Sequence, residues 1–142
     1  MTIGTVIPRK TGATAVLSLY GHPLITSATG GEIQVVTRPS EAGFNPLDLL
    51  YASLASCLVL SARIAAGEQG RLDKLHAVEA RVKGSKATEG PSRIERFEIE
   101  LLIDADLDET AKDEIAAAAE RICTVSNTLH GHPVIEVARV QS

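Results

Sequence analysis

Residues 43–66 read GFNPLDLLYASLASCLVLSARIAA, and this stretch decides how the rest of the chain folds. Pro46 stands where helices favour proline, in the first turn, and Asn45 before it is a suitable N-cap. The residues that follow are rich in leucine and alanine and are apolar on more than one face, which is typical of a helix buried inside a protein. Gly67 fits the end of such a helix. We therefore predict a central helix over residues 46–66.

Strand patterns lie before this helix. Residues 13–20 are compatible with a strand, and a glycine pair then marks a tight turn before a second strand at residues 32–36. Residues 38–45 contain proline and glycine and predict a loop that leads into the helix.

The sequence after the helix predicts a hairpin, a helix and a last strand. Residues 76–83 and 97–103 alternate between apolar and charged side chains, as in an antiparallel hairpin with one buried face and one solvent-exposed face. Asp108 is the N-cap of a second helix that runs to about Cys123, and residues 133–140 read as a strand. The order β-β-α-β-β-α-β, with no repeat or linker, predicts a single α+β domain over residues 1–142 with a helix packed on a sheet.

Composition and charge exclude some functions. Apolar residues make up 44% of the 142 residues, charged residues 23%, and the net charge is −4. The fourteen basic residues are scattered and only four residues are aromatic. Because nucleic-acid binding needs basic clusters and often stacking platforms, we expect no nucleic-acid partner.

The most apolar run covers residues 49–62, between Asp48 and Arg63. Fourteen helical residues are too few to cross a hydrocarbon core of about 30 Å, so we expect a buried helix and no membrane association. The first residues also lack the apolar segment of a signal peptide, so we expect a cytoplasmic protein.

The two cysteines are the main candidates for a chemical role. In a reducing compartment they are buried thiols, metal ligands or a redox pair. Cys57 lies in the middle of the central helix, with Ser53 and Ser61 one turn to either side and small neighbours that leave room around its sulfur. A buried thiol that packs as a small hydrophobe is the alternative interpretation.

Cys123 lies at the predicted end of the second helix, where partial negative charge disfavours a thiolate. A resolving cysteine tolerates this position, because it attacks a sulfenic acid that is already activated. The asymmetry favours Cys57 as the attacking thiol. His130 and His132 would complete a tetrahedral zinc set with the two cysteines, but the spacing matches no standard zinc template, so we expect no metal.

Two segments resemble the signatures of the OsmC/Ohr family (osmotically inducible protein C and organic hydroperoxide resistance protein). Residues 43–57 resemble the first, in which a Gly-x-x-Pro loop opens the central helix and a cysteine follows about three turns later. Residues 123–129, CTVSNTL, resemble the second, a cysteine followed by a short loop with Ser-Asn. Their separation and the order of elements also suit the family.

The resemblance implies an OsmC-like fold, with antiparallel sheets around a long central helix, in an intertwined homodimer whose sites lie near the subunit interface. It implies that Cys57 attacks an organic hydroperoxide and becomes a sulfenic acid, and that Cys123 condenses with it to a disulfide. A dithiol such as a lipoyl group then restores both thiols, and no cofactor is needed.

The chain departs from the family pattern directly after Asn45-Pro46. The peroxidase branches carry a glutamate there that holds an activating arginine, whereas this chain has Leu47 and then Asp48. One position turns a helical side chain by about 100°, so Asp48 does not simply inherit the role. Candidates for an activating or supporting group are Asp48, Arg38, Arg9 and His22.

This departure leaves a second function open. Without a nearby cation, an apolar helix would raise the pKa of Cys57 and slow its reaction. The alternative is therefore a non-enzymatic relative that binds an apolar ligand at the dimer interface.

Overall fold

The computed structural model describes residues 8–141, which fall into two compact units. The first unit ends at Leu49 and the second begins at Leu50, so the boundary falls in the first turns of the central helix. The domain predicted over residues 1–142 extends beyond the described residues at both ends, and its unity stays a prediction.

The first unit contains a three-stranded antiparallel sheet. Its strands are β1 (Ala13–Val16), β2 (Leu24–Ser27) and β3 (Glu32–Gln34), in the order β1-β2-β3. The sequence predicted β1 as far as residue 20 and missed β2. Pro23 directly precedes β2, where a missing N–H removes no bond from the middle of a strand.

Gly43 is needed for the loop that leads into the central helix. Its φ is +148°, and a Cβ at this position would overlap the side chain of Val36. The two segments approach because the Val36 N–H donates to the Phe44 carbonyl at 3.0 Å. The first glycine of the predicted signature therefore has a backbone role.

Helix α1 (Pro46–Glu68) begins with the predicted N-cap. The Asp48 N–H donates to Asn45 Oδ1 at 2.8 Å, and the Asn45 N–H donates to Asp48 Oδ2 at 3.0 Å. This reciprocal pair satisfies two backbone donors of the helix start and confirms Asn45 as the cap. The helix continues through Gly67, slightly beyond its predicted end.

The second unit contains the predicted hairpin, formed by β4 (Leu75–Lys86) and β5 (Ile94–Ala105) after a single 3₁₀ turn. Helix α2 (Glu109–Ile122) follows, and the Asp108 carboxylate accepts from the Ala111 N–H at 2.8 Å, which confirms the second cap. A short helix α3 (Thr124–His130) then replaces the loop expected after Cys123.

The predicted last strand is wrong for the described part of this chain. Residues 133–140 form no strand there, and their apolar side chains are 82–93% exposed (Val134, Ile135, Val137, Val140). An alternating pattern becomes a strand only when another strand supplies hydrogen-bond partners, and no strand among residues 8–141 does so.

Two apolar clusters hold α1 in the second unit. In one, three alanines of α1 pack against Ile115 and Ala119 of α2 (Ala62, Ala65, Ala66). In the other, Leu54 and Leu58 of α1 pack against Cys123, with side chains of β4 and β5 at the edge. The α1 helix is thus enclosed by α2 on one side and the hairpin on another.

By length and composition, α1 is long and apolar enough to cross a membrane. The expectation drawn from fourteen apolar residues therefore used too short a helix, since α1 has 23. A core helix of a soluble protein meets the same criterion. The two clusters just described pack against this helix, and 33% of its apolar window is buried.

We expect replacement of Ile115 by alanine to lower the free energy of unfolding by about 2–5 kcal/mol, because Ile115 is fully buried and the alanines around it cannot fill the space. Ile122→Ala on the same helix is the control, since that side chain is 40% exposed, and its expected cost is below about 1 kcal/mol. Urea unfolding followed by circular dichroism measures both. Equal costs would contradict the proposed core.

Candidate active site

The structure brings the two cysteines together within the second unit. Cys57 lies about three turns into α1, and Cys123 lies between α2 and α3. Both thiols are free, and the side chain of Cys57 packs against the buried cluster that contains Cys123. Cys123 is fully buried, whereas Cys57 is only half-buried. Of the pair, Cys57 is therefore the more accessible sulfur.

Cys123 is the junction of two helices. It is the C-cap of α2 and the N-cap of α3, with an extended backbone at φ −70° and ψ 107°. Its sulfur accepts the Ser126 N–H at 3.4 Å, and the Asn127 side chain donates to the Arg121 carbonyl at 3.0 Å. The Ser-Asn pair of the second signature thus fastens the start of α3 to the end of α2.

Cys57 is surrounded by hydrogen-bond donors. Burial acts to raise its pKa, but the N–H of Val125, the thiol of Cys123, the hydroxyl of Ser61 and the N–H of Thr124 together outweigh burial, so the pKa of Cys57 is lowered. The expectation of a raised pKa is therefore wrong. It counted only cations, whereas neutral donors also stabilise a thiolate.

Cys123 shows the opposite shift. Burial raises the pKa of Cys123, and so do the hydrogen bond and the charge of Cys57, which together outweigh the N–H groups of Ser126 and Val125. When two thiols share one site, the first ionisation opposes the second. Cys57 is therefore the thiol that ionises first.

The four candidate supporting residues all belong to the first unit. Arg9 donates to Thr29 Oγ1 at 2.8 Å, and His22 Nε2 lies 2.8 Å from Glu41 Oε1. Asp48 caps α1, and the carbonyl of Arg38 accepts the Glu41 N–H. Each has a local partner in that unit, and an activating role toward Cys57 stays a prediction for all four.

The zinc alternative has no support in the described residues. Among residues 8–141, no group of three or more His, Cys, Asp or Glu side chains is placed to hold a metal ion. The two cysteines meet, but His130 and His132 do not complete a set with them.

A shallow cavity of about 330 Å³ in the second unit is lined by neighbours of the two cysteines, although neither cysteine lines it. Leu58 follows Cys57 in the chain, Ser126 contacts Cys123, and both line the cavity. The other lining residues are apolar except for one carboxylate (Ile99, Leu101, Ala116, Ala117, Glu120). Such walls accommodate an apolar group better than a charged one.

Comparisons with known proteins give a consistent family. A family model described as OsmC-like protein matches residues 39–138. An OsmC-like protein from Mycoplasma pneumoniae has a similar structure, with a TM-score of 0.76 and 25% identity over 89% of this chain and 91% of that one. The organic hydroperoxide resistance protein OhrB of Bacillus subtilis has a TM-score of 0.66 and 24% identity over 87% and 93%. A comparison with curated proteins gives no match.

We expect Cys57 to react with iodoacetamide at a lower pH than the same cysteine in the unfolded chain. A lowered pKa means that the thiolate, which is the nucleophile, is present at lower pH in the folded protein. Alkylation rates of each cysteine-containing peptide, measured by mass spectrometry from pH 5 to 10, test this, with the guanidinium-unfolded chain as control. A folded midpoint at or above the unfolded one would contradict it. Cys123 should be protected in the folded chain because it is buried.

Proposed function

The chain belongs to the OsmC-like family, and from this premise we propose that it is a thiol-dependent peroxidase that reduces organic hydroperoxides. The family model covers residues 39–138, and the α+β fold with antiparallel sheets matches solved OsmC and Ohr structures. Similar structures from Bacillus subtilis and Legionella pneumophila carry names that refer to organic hydroperoxide resistance. They support a role in peroxide resistance and the oxidative stress response.

The observation that carries the proposal is the pairing of two thiols with opposite pKa shifts. Cys57 is partly exposed and its pKa is lowered, whereas Cys123 is buried and its pKa is raised. An attacking thiol must be ionised and reachable, and a resolving thiol needs only to lie within reach of the first. The asymmetry supports the proposal that Cys57 attacks and Cys123 resolves.

The proposed reaction has three steps. The Cys57 thiolate attacks one oxygen of the hydroperoxide, so an S–O bond forms, the O–O bond breaks, and the alkoxide leaves and takes a proton to become an alcohol. The Cys123 sulfur then attacks the sulfenic acid, so a disulfide forms and water leaves. A dithiol of the lipoyl type finally reduces the disulfide through thiol exchange and is itself oxidised to a disulfide.

The position of Cys123 favours the second step. Its side chain lies in the buried cluster against which Cys57 packs, and the caps of α2 and α3 fix its backbone on both sides. The Ser126 N–H holds the sulfur at 3.4 Å and can stabilise the thiolate that attacks. Resolution therefore needs no large movement of helices before a disulfide can form.

Organic substrates fit the surroundings of the pair. The cluster that contains the cysteines is built from leucines and from apolar side chains of the hairpin, and the adjoining cavity has mainly apolar walls. An alkyl or aryl group would gain from burial there, about 25 cal/mol per Å² of apolar surface. Hydrogen peroxide lacks this gain, so we propose organic hydroperoxides as the preferred substrates.

Activation of Cys57 is proposed to depend largely on neutral donors. Leu47 occupies the position of the family's glutamate, and the carboxylate of Asp48 is used in the helix cap. The N–H groups of Val125 and Thr124 supply hydrogen bonds to the Cys57 sulfur instead. Arg38, Arg9 and His22 remain candidates for a further contribution.

The protein is proposed to act as a cytoplasmic homodimer. Residues 133–140 carry four large apolar side chains that are exposed in the single chain and lie on both faces of an extended segment, and α1 also exposes Leu60 and Ile64. A second copy would bury both surfaces and supply strand partners, as the family resemblance implies. A reducing cytoplasm would keep both thiols ready for the first step.

The cavity beside the cysteines also fits the alternative function. A protein that only binds an apolar ligand would use the same apolar walls and would not need an ionised Cys57. The lowered pKa of Cys57 favours the enzyme. Persistence of both thiols in excess peroxide, together with a co-purified ligand in native mass spectrometry, would favour the binding protein.

We expect one equivalent of cumene hydroperoxide to oxidise the reduced protein to a Cys57–Cys123 disulfide. Intact mass should fall by two hydrogen atoms while both free thiols disappear, because the two cysteine side chains pack in one cluster. Cys123→Ser should stop at a sulfenic acid that dimedone traps, and Cys57→Ser should be inert. Dihydrolipoamide should restore the thiols. Thiols that persist in the wild-type protein would contradict the proposed function.

We expect Val137→Glu to weaken the dimer, because this valine is 93% exposed in the single chain and would be buried by a partner strand. Light scattering after size exclusion measures the mass of each variant. Glu89→Lys, in the exposed turn between β4 and β5 and outside this segment, is the control and should remain dimeric. A wild-type protein of monomer mass would contradict the proposed dimer.

A further inference from the structure

A single residue with an extended backbone separates α2 from α3. Helix α2 ends at Ile122 and α3 begins at Thr124, so Cys123 alone forms the junction, with φ −70° and ψ 107°. Rotation about these two dihedral angles would swing α3 relative to α2, because no further linker residue absorbs the change. The last carbonyls of α2 also lose their helical donors at this break and can accept hydrogen bonds from elsewhere. The geometry of the junction therefore depends on contacts that cross it.

Asn127 makes a contact of this kind. Its side-chain Nδ2 donates to the Arg121 carbonyl at 3.0 Å, and its backbone N–H donates to the Cys123 carbonyl at 3.0 Å. Because a carbonyl oxygen can only accept, the amide nitrogen must be the side-chain atom that faces Arg121. One residue of α3 thus binds one of the last carbonyls of α2 and also closes the first turn of α3.

The direction of the Cys123 sulfur depends on both helices. The Cys123 backbone continues from the end of α2, whereas its Sγ accepts the Ser126 N–H of α3 at 3.4 Å. The Cys123 side chain is fully buried in a cluster with two leucines of α1, and Cys57 packs against that cluster. A tilt of α3 would carry the Ser126 N–H, and with it Sγ, out of this arrangement.

We propose that Asn127 is a positioning residue for the resolution step: its side-chain amide holds α3 on α2 and thereby keeps Cys123 Sγ in the cluster where Cys57 packs. The proposal rests on the proposed function only in taking Cys123 as the thiol that resolves oxidised Cys57. Asn127 exchanges no proton or electron with either sulfur, so the balance of the reaction is unchanged. A disulfide forms only when the two Cβ atoms lie about 3.5–4.5 Å apart, so a tilt at the junction would slow its closure.

Thr128 provides a matched control. Its hydroxyl donates to the Thr124 carbonyl at 2.7 Å, so this bond stays within α3 and does not reach α2. Asn127 and Thr128 are exposed neighbours in one short helix, and each donates a side-chain hydrogen bond to a carbonyl. Loss of the Thr128 bond tests the stability of α3 alone, whereas loss of the Asn127 bond tests the attachment of α3 to α2.

The test measures how well Cys123 competes with glutathione for Cys57, without any peroxide. In a buffer of oxidised and reduced glutathione, Cys57 attacks glutathione disulfide, forms a mixed disulfide and releases one glutathione thiol. Cys123 then attacks the Cys57 sulfur, so the intramolecular disulfide closes and the second glutathione leaves as a thiol. The ratio of the two protein forms, read by intact mass at a fixed concentration of reduced glutathione, gives the effective concentration of Cys123.

In Asn127→Ala and in Asn127→Asp, which keeps the shape but lacks the donor, we expect this effective concentration to fall roughly three- to tenfold through the loss of one hydrogen bond. Thr128→Val should keep the wild-type value, because its lost bond lies within α3. Asn127→Gln retains an amide donor and should recover part of the loss.

Each outcome decides the proposal. An unchanged effective concentration in both Asn127 variants, or an equal fall in Thr128→Val, would overturn it, with thermal unfolding used to show that the variants are folded. The Asn127 side chain is exposed, so its replacement leaves no buried cavity. If neither Asn127→Ala nor Asn127→Asp folds, the bond is structural and the proposal fails. A fall in the effective concentration in a protein that does not turn over peroxide would support the role of Asn127 and reject only the peroxidase.

Discussion

The close packing of α1 on α2 is the constraint on which the cysteine site depends. Three alanines of α1 (Ala62, Ala65, Ala66) allow Ile115 and Ala119 of α2 to approach, and all five side chains are fully buried. Since α2 is fixed along α1 by this contact, the end of α2 is fixed as well. Cys123 caps that end, so the alanine contact determines which turn of α1 it meets. A bulkier residue in this contact would move Cys123 away from Cys57 while leaving both thiols intact.

The second consequence of this packing is chemical. The α2–α3 junction that delivers Cys123 also delivers the N–H groups of Thr124 and Val125 to the Cys57 sulfur. In the proposed mechanism, this one backbone turn supplies the resolving thiol and part of the activation of the attacking thiol. A fully apolar pocket would have raised the pKa of Cys57, so the donors decide the sign of the shift. The same turn is strengthened by Asn127, which bonds back to α2.

The sequence predicted local features well and long-range contacts poorly. Asn45 and Asp108 were identified as caps because a cap depends on residues three positions away. The hairpin could be predicted from the alternation of apolar and charged side chains alone. The turn at Thr124 could not be predicted as a source of donors to Cys57, because sixty-six positions separate the cysteines and no local pattern fixes their contact. The position of Ser61, one helical turn after Cys57, could be predicted from the sequence. Its burial, which makes it unusual among the serines of α1, could not. The strand predicted over residues 133–140 is wrong for another reason. A strand needs a second strand as its hydrogen-bonding partner, and the described residues provide none for this segment.

This chain has Leu47 where the family pattern has a glutamate, and the carboxylate of Asp48 follows one position later. This difference affects both the cap of α1 and the way in which the Cys57 thiol could be activated. A carboxylate one position earlier would stand outside the reciprocal cap and could hold a cation, whereas Asp48 is the third residue of the helix and bonds to Asn45. The helix start is thereby stabilised by a local hydrogen-bond pair, and we propose that backbone N–H groups stabilise the Cys57 thiolate instead. Neutral donors inside a packed core are less affected by dissolved salt than an exposed ion pair is. They are also fixed by the backbone, so they need no ordering of a long arginine side chain before each attack. The departure from the family pattern is thus consistent with an active thiol, provided that the contact between α1 and the α2–α3 junction is kept.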